Sequence, residues 1–249
     1  LAAGALRNTF ALAALASALL GVYSFTLPAT PPLGNAAAGI GERLGITALG
    51  MLKDRSFAVF FCSAILICVP LAFYYQNANL FLVESGVANP AGKMTIGQVS
   101  EAGFILLLPV LFSRFGFKTT LLIGMFAWSL RYTLFALGNA GDLLWMLLAG
   151  IALHGICYDF FFVAGQVYTD ARAGERFRAS AQGLITLATY GIGMLIGFQV
   201  AGMVSDLYTL PSGHDWRLIW LFPAGFALLV FSVFLLLFRD NTTIGETNR

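Results

Sequence analysis

The sequence predicts an all-α integral membrane protein, on three observations. Hydrophobic residues make up 59% of the chain and charged residues only 10%, whereas soluble domains carry about 25% charged residues. Mean hydropathy is +0.82. The apolar residues gather in seven long stretches near the ~20 residues that carry a helix across the hydrocarbon core. The short alternating strands of a membrane barrel are not seen, so helices are the means by which the backbone satisfies its own polar groups in lipid.

The elements follow in chain order. A first span is expected over 9–27, after Arg7. The stretch TLPATPPLGNAAAGIGERLG is rich in Pro, Gly and Ala and reads as a linker. Six further spans follow over 57–83, 95–113, 119–138, 143–168, 180–205 and 216–238. SRFGFK is expected to turn the chain between the second and third of these, and DARAGERFRAS to form a loop between the fourth and fifth. Pro70, Pro109 and Pro223 lie within spans and are expected to kink them. Gly193 and Gly197 form a GxxxG pair, which permits close helix packing. The expected organisation is a helix in 1–28, a linker over 29–56, a six-helix block over 57–238 and a tail over 239–249. The chain starts with Leu and lacks the layout of a signal peptide, so an N-terminal part of the protein is expected to be missing.

Lys and Arg in the loops set orientation. Arg43, Lys53, Arg55, Arg114, Lys118, Arg172, Arg176, Arg178, Arg239 and Arg249 would share one side. Arg7, Lys93 and Arg217 would lie on the other, and Arg131 falls inside a span. The richer side is expected to be cytoplasmic, so the chain would begin outside and end inside. A net charge of +2 gives no reason to expect a nucleic-acid partner. Cys62, Cys68 and Cys157 all lie in apolar runs without a CxxC or Cys/His cluster, so neither a disulfide framework nor a metal site is expected, and no cofactor is.

Three spans carry polar residues at helical spacing. Gln76 and Asn79 are three apart, as are Gln98 and Glu101; His154 and Tyr158 are four apart, with Asp159 adjacent. Residues three or four apart share a helix face, and aromatics such as Tyr74, Tyr75 and Phe162 surround these patches. An ionised Asp at a span centre costs about 2.5–3.5 kcal/mol on insertion scales, so such residues mark ion or solute paths. Removal from water disfavours the charged form of a carboxyl group, which makes Glu101 and Asp159 candidates to bind and release a proton. Glu84 and Asp206, near outer helix ends, read as solvated, and Arg131 as buried or snorkelling, paired with an acid. Intramembrane catalysis is not expected. HExxH and GxSxG are absent, and His154 and Asp159, five apart, diverge by about 140° around a helix. Composition and spacing reach as far as a proton-coupled carrier of a polar, uncharged solute, such as a sugar.

Several stretches then carry a more specific likeness. FYYQNANLFL, QVSEAGFILLLPVLFSRFGFK, AWSLRYTLFALGNAGDLLWML, YDFFFVAGQVY and RASAQGL, in that order, resemble the C-terminal half of the bacterial nucleoside:proton symporter family of the major facilitator superfamily. The resemblance implies the last helix of an N-terminal half followed by the six-helix C-terminal half. It implies a multi-pass carrier of the bacterial inner membrane that imports nucleosides with protons by alternating access, completed by N-terminal helices of the same carrier. It places Gln76, Asn79, Gln98, Glu101, Tyr158 and Asp159 against the nucleoside, with Asp159 or Glu101 coupling to the proton. His154 and Phe162 are added as candidates by their position. Where the family often has an aromatic hydroxyl one turn before the aromatic–Asp pair, this chain has His154. The alternative is a proton-coupled sugar or other polar-solute symporter of the same superfamily.

Overall fold

The computed structural model describes residues 3–29 and 46–239. Most of the expected linker, with Arg43, and the tail from 240 onward lie outside the described residues. The chain divides into two units, Leu1–Ala38 and Gly39–Arg249. In the first, α1 (Ala3–Ser24) has 22 residues, about 33 Å of helix. It ends earlier than expected, because Phe25 and Thr26 already turn, their amides donating to the carbonyls of Val22 and Tyr23.

The second unit opens with a 3₁₀ helix over Ile46–Lys53, inside the stretch read as linker. Asp54 then caps α2 (Arg55–Glu84), its carboxylate accepting from the Phe57 amide at 2.8 Å. Asn89 caps α3 (Pro90–Phe104) in the same way, with Pro90 in the first turn, where its missing N–H costs nothing. A 3₁₀ turn over Ile105–Leu107 leads into α4 (Leu108–Leu137), which places Pro109 at a helix start rather than in mid-span. Then come α5 (Leu144–Ala152) and α6 (His154–Tyr158), a π-helical turn over Asp159–Val163, and α7 (Ala164–Thr186). A second π-helical stretch, Leu187–Gly193, joins α7 to α8 (Met194–Leu207). A two-stranded hairpin, β1 (Thr209–Leu210) with β2 (Gly213–His214), precedes α9 (Trp216–Leu237).

Among the described residues five helical runs are long and apolar enough to cross a membrane. One, Pro90–Leu137, has 48 residues, about 72 Å if straight, more than twice the hydrocarbon thickness. Gly116 resolves the excess. At φ 73° and ψ 177° it takes a backbone conformation open mainly to glycine, and the run breaks into two arms at the expected SRFGFK turn. Gly174, at φ 64° and ψ 174°, likewise breaks α7 with a single non-helical residue. The expected loop DARAGERFRAS is therefore helix on both sides of one glycine. Its Ala, Arg and Glu residues favour helix, and only Gly174 leaves it.

The core of the second unit is aromatic. The rings of Tyr132 on α4 and Trp220 on α9 stack 5.3 Å apart, nearly parallel, and Phe135 meets Trp220 edge-on at 5.1 Å. Such pairs contribute about 0.5–1.5 kcal/mol each beyond area burial. Between helices in lipid, contact packing of this kind replaces the hydrophobic drive. Against α2, Gly193 and Gly197 sit where a Cβ would lie 2.8 Å from Cys68 and Ala72, the close approach expected of their spacing. At one end of the block Arg172 pairs with Asp54 at 2.8 Å, Ser56 donates to the Arg239 carbonyl and Lys118 to the Leu235 carbonyl. At the other end Glu84 accepts from the Trp216 indole at 2.9 Å and lies 3.1 Å from His214 Nδ1. Glu84 therefore ties α2 to the hairpin rather than standing only in solvent.

Candidate functional site

The site is set by an unusually close crossing of α3 and α6. At Gly155 an added Cβ would lie 2.6 Å from the Glu101 amide and from the Ser100 carbonyl carbon, so glycine is required there for the helices to touch. The Gly155 amide donates to Ser100 Oγ at 3.1 Å across the same contact. This brings Glu101 to His154, with 3.6 Å between Oε2 and Nε2.

A cavity of about 400 Å³ opens over this crossing. Its lining includes Tyr74 and Tyr75 from α2, Gln98 and Glu101 from α3, and His154 and Tyr158 from α6. Three helices thus contribute aromatic faces, one amide, one carboxylate and one imidazole. That chemistry suits a solute with a flat ring and several hydroxyls: aromatic faces stack on rings, an amide both donates and accepts, and a carboxylate accepts hydroxyl protons. The volume falls within the ~300–1,000 Å³ of small-molecule sites.

Four of the eight sequence candidates, Gln98, Glu101, His154 and Tyr158, share this cavity. The other four do not line it. Gln76 and Asn79 are exposed on α2, and Asn79 reaches the Met94 sulfur at 3.7 Å. Phe162 is buried and lines a separate small cleft with Tyr190, while its ring packs on Tyr158 at 5.4 Å. Asp159 opens the π-helical turn, is 0% exposed, and has no hydrogen-bond partner for either carboxylate oxygen among the described residues. π-turns inside helices often mark functional positions. This one lies against α4, where a Cβ on Gly124 would come within 2.9 Å of the Phe160–Phe161 backbone.

Two contributors were not among the eight site candidates, although Arg131 was noted as a charge inside a span. Tyr190, from the second π-helical stretch, shares a hydroxyl–hydroxyl hydrogen bond with Tyr158. Arg131 is fully buried, and its guanidinium carbon lies 3.6 Å from the centre of the Tyr74 ring. Its Nη1 is 3.0 Å from His154 Nδ1. The acidic partner expected for Arg131 is not in direct contact; His154 stands between Arg131 and Glu101. A lone arginine in an apolar run was the available signal, but its partner is 23 residues away in sequence and on another helix. Among the described residues no group of His, Cys, Asp and Glu is arranged to hold a metal ion.

The model of the family described as "Nucleoside H+ symporter" matches residues 4–243. YegT of Escherichia coli (strain K12) is 40% identical over 90% of this chain and 55% of its own length. The xanthosine permease of the same organism is 33% identical over 91% of this chain and 57% of its own. The crystal structure of an aspartate-to-alanine variant of the nucleoside transporter NupG superposes with a TM-score of 0.77 at 30% identity, covering 90% of this chain and 58% of that one. The chain thus spans a little over half the length of the relatives it matches. Those relatives are transporters and permeases, not enzymes.

Proposed function

We propose, for a chain that belongs to the nucleoside H+ symporter family and has the all-α membrane fold of the major facilitator superfamily, that it forms the C-terminal half of a nucleoside importer. Uptake is driven by the proton gradient across the bacterial inner membrane and proceeds by alternating access. N-terminal helices of the same carrier supply the other wall of the solute path.

In this reading the nucleoside sits in the cavity between α2, α3 and α6. The observation that carries it is the convergence of Tyr74, Tyr75 and Tyr158 with Gln98, Glu101 and His154 on one space of about 400 Å³. The tyrosine rings stack on the base, at about 1–3 kcal/mol per stacked base. Gln98 and Glu101 take the hydroxyls or base edge. Gln76 and Asn79, on the exposed face of α2, reach the solute from the side of the N-terminal half, and Phe162 supports Tyr158. Asp159 binds and releases the coupled proton, and Glu101 is the carboxylate through which solute occupancy is sensed. A buried carboxyl group without hydrogen-bond partners has its free energy strongly dependent on whether it carries a proton, which suits it to link conformation to protonation.

The test is uptake of labelled uridine by the complete carrier in cells lacking their own nucleoside carriers, under an imposed proton gradient. The expected result is accumulation that collapses with an uncoupler. A well-expressed, membrane-inserted carrier that takes up no nucleoside would overturn the reading.

A further inference from the structure

We propose that Arg131 is a positioning residue that locks His154 in the tautomer with its proton on Nε2, so that the imidazole presents a fixed hydrogen-bond donor to the cavity. The inference rests on the reading of that cavity as the solute site.

A guanidinium group has five N–H donors and no acceptor. With Arg131 Nη1 at 3.0 Å from His154 Nδ1, that ring nitrogen is the acceptor, and a neutral imidazole with Nδ1 as acceptor carries its one proton on Nε2. Nε2 is the nitrogen that faces Glu101, at 3.6 Å.

Packing makes the arrangement stiff. Arg131 and His154 both lie against the ring of Tyr74, the guanidinium at 3.6 Å and the imidazole stacked at 5.2 Å. Trp128 and Phe135 stand 5.7 and 5.6 Å from the guanidinium on its other sides. The Gly155–Ser100 contact holds the backbone beneath the imidazole. The titratable and charged groups facing the ring are Tyr74 and Tyr75 from α2, Glu101 from α3, Arg131 from α4 and Tyr158 from α6. Of these only Arg131 meets Nδ1. The cavity wall then offers a donor, Nε2–H, beside an acceptor, the Glu101 carboxylate. A solute group that both accepts and donates, such as a sugar hydroxyl or a lactam edge, bridges the two. An imidazole free to change tautomer would offer that pairing only part of the time.

The experiment is nitrogen-15 NMR of histidine-labelled complete carrier in lipid, with His154 identified by difference against His154→Gln. We expect the Nε2–H tautomer in the wild type. Arg131→Lys keeps a donor on Nδ1 and should keep the tautomer. Arg131→Met removes the donor and should yield a tautomer mixture, with KM for uridine raised about tenfold, as for loss of one oriented hydrogen bond, and kcat little changed. A wild-type His154 with its proton on Nδ1, or an unaltered tautomer in Arg131→Met, would overturn the proposal. Should Arg131→Met fail to accumulate, the wild-type and Arg131→Lys spectra decide the question. The readouts are independent: the expected tautomer in a carrier that moves no nucleoside would sink the functional reading and leave the lock standing.

Discussion

A carboxyl group without partners is the most consequential feature at the scale of single residues. Asp159 is 0% exposed and neither oxygen finds a hydrogen bond among the described residues, whereas the buried Asn77 side chain pairs with Ser205 at 3.0 Å. An unpaired buried polar group is costly, and its persistence points to a role that needs it free. Asp159→Asn has nearly the same shape and cannot exchange a proton. It should therefore leave folding and solute exchange intact while abolishing accumulation against a gradient. Counterflow and proton-driven uptake, measured on the same vesicles, check this; undiminished accumulation in Asp159→Asn would remove Asp159 from the coupling step. Spacing in the sequence brought Gln98 to Glu101 and His154 to Tyr158, because each pair lies within one helix turn. It could not bring Arg131 to His154, since that contact depends on how two helices cross.

At the scale of elements, the block is organised by interruptions in its helices. Gly116 and Gly174 break the helices with single positive-φ residues, and the end of α6, next to the π-helical stretch Asp159–Val163, meets the second π-helical stretch, Leu187–Gly193, through the Tyr158–Tyr190 hydroxyl pair. The start of α2 shows how one side chain can serve two elements. Asp54 accepts from the Phe57 amide and pairs with Arg172. The amide bond, followed by the Arg172 charge, outweighs partial desolvation and holds its pKa below the ordinary 3.8. A depressed folded pKa means the contribution is complete above the unfolded value and fades as pH falls through the folded one. Asp54→Ala should cost about 1 kcal/mol, as for loss of an N-cap, near neutral pH. The gap to wild type should narrow as pH falls below 3.8. Asp54→Asn retains the cap and should lose less. Thermal unfolding of the purified carrier in detergent across pH checks the series; a gap that stays constant into acid would show that Asp54 acts through something other than its charge.

At the scale of the whole molecule, the arrangement of ends bears on orientation. The structure gathers Asp54, Arg172, Lys118 and the Arg239 carbonyl at one end of the second unit, and Glu84, His214 and Trp216 at the other. Among the described residues the first end carries most of the loop Lys and Arg residues, and under the positive-inside rule we propose it as the cytoplasmic side. A green fluorescent protein fused after Arg249 of the complete carrier should therefore fluoresce, and an alkaline phosphatase fused there should be inactive. The reverse pattern would invert the orientation and with it the direction in which the cavity opens. The chain spans a little over half the length of its relatives, so a second wall for the cavity is expected from the rest of the carrier.

Fold class was legible in the amino-acid sequence itself, because it depends on composition and on the length of the apolar stretches. The family was legible because its motifs lie in order along the chain. Where helices break was less so. The loop expected at DARAGERFRAS proved to be helix interrupted at Gly174, and the π-turn at Asp159 left no mark in the pattern, since a one-residue bulge leaves the apolar run unbroken. Which of the polar residues share a cavity was decided only in three dimensions. Glu101, His154 and Arg131 come from α3, α6 and α4, and they meet because Gly155 lets two helices approach and because Tyr74 offers its ring to both a guanidinium and an imidazole. Contacts of that kind depend on the angle and distance between helices, which side-chain packing sets and local periodicity does not encode.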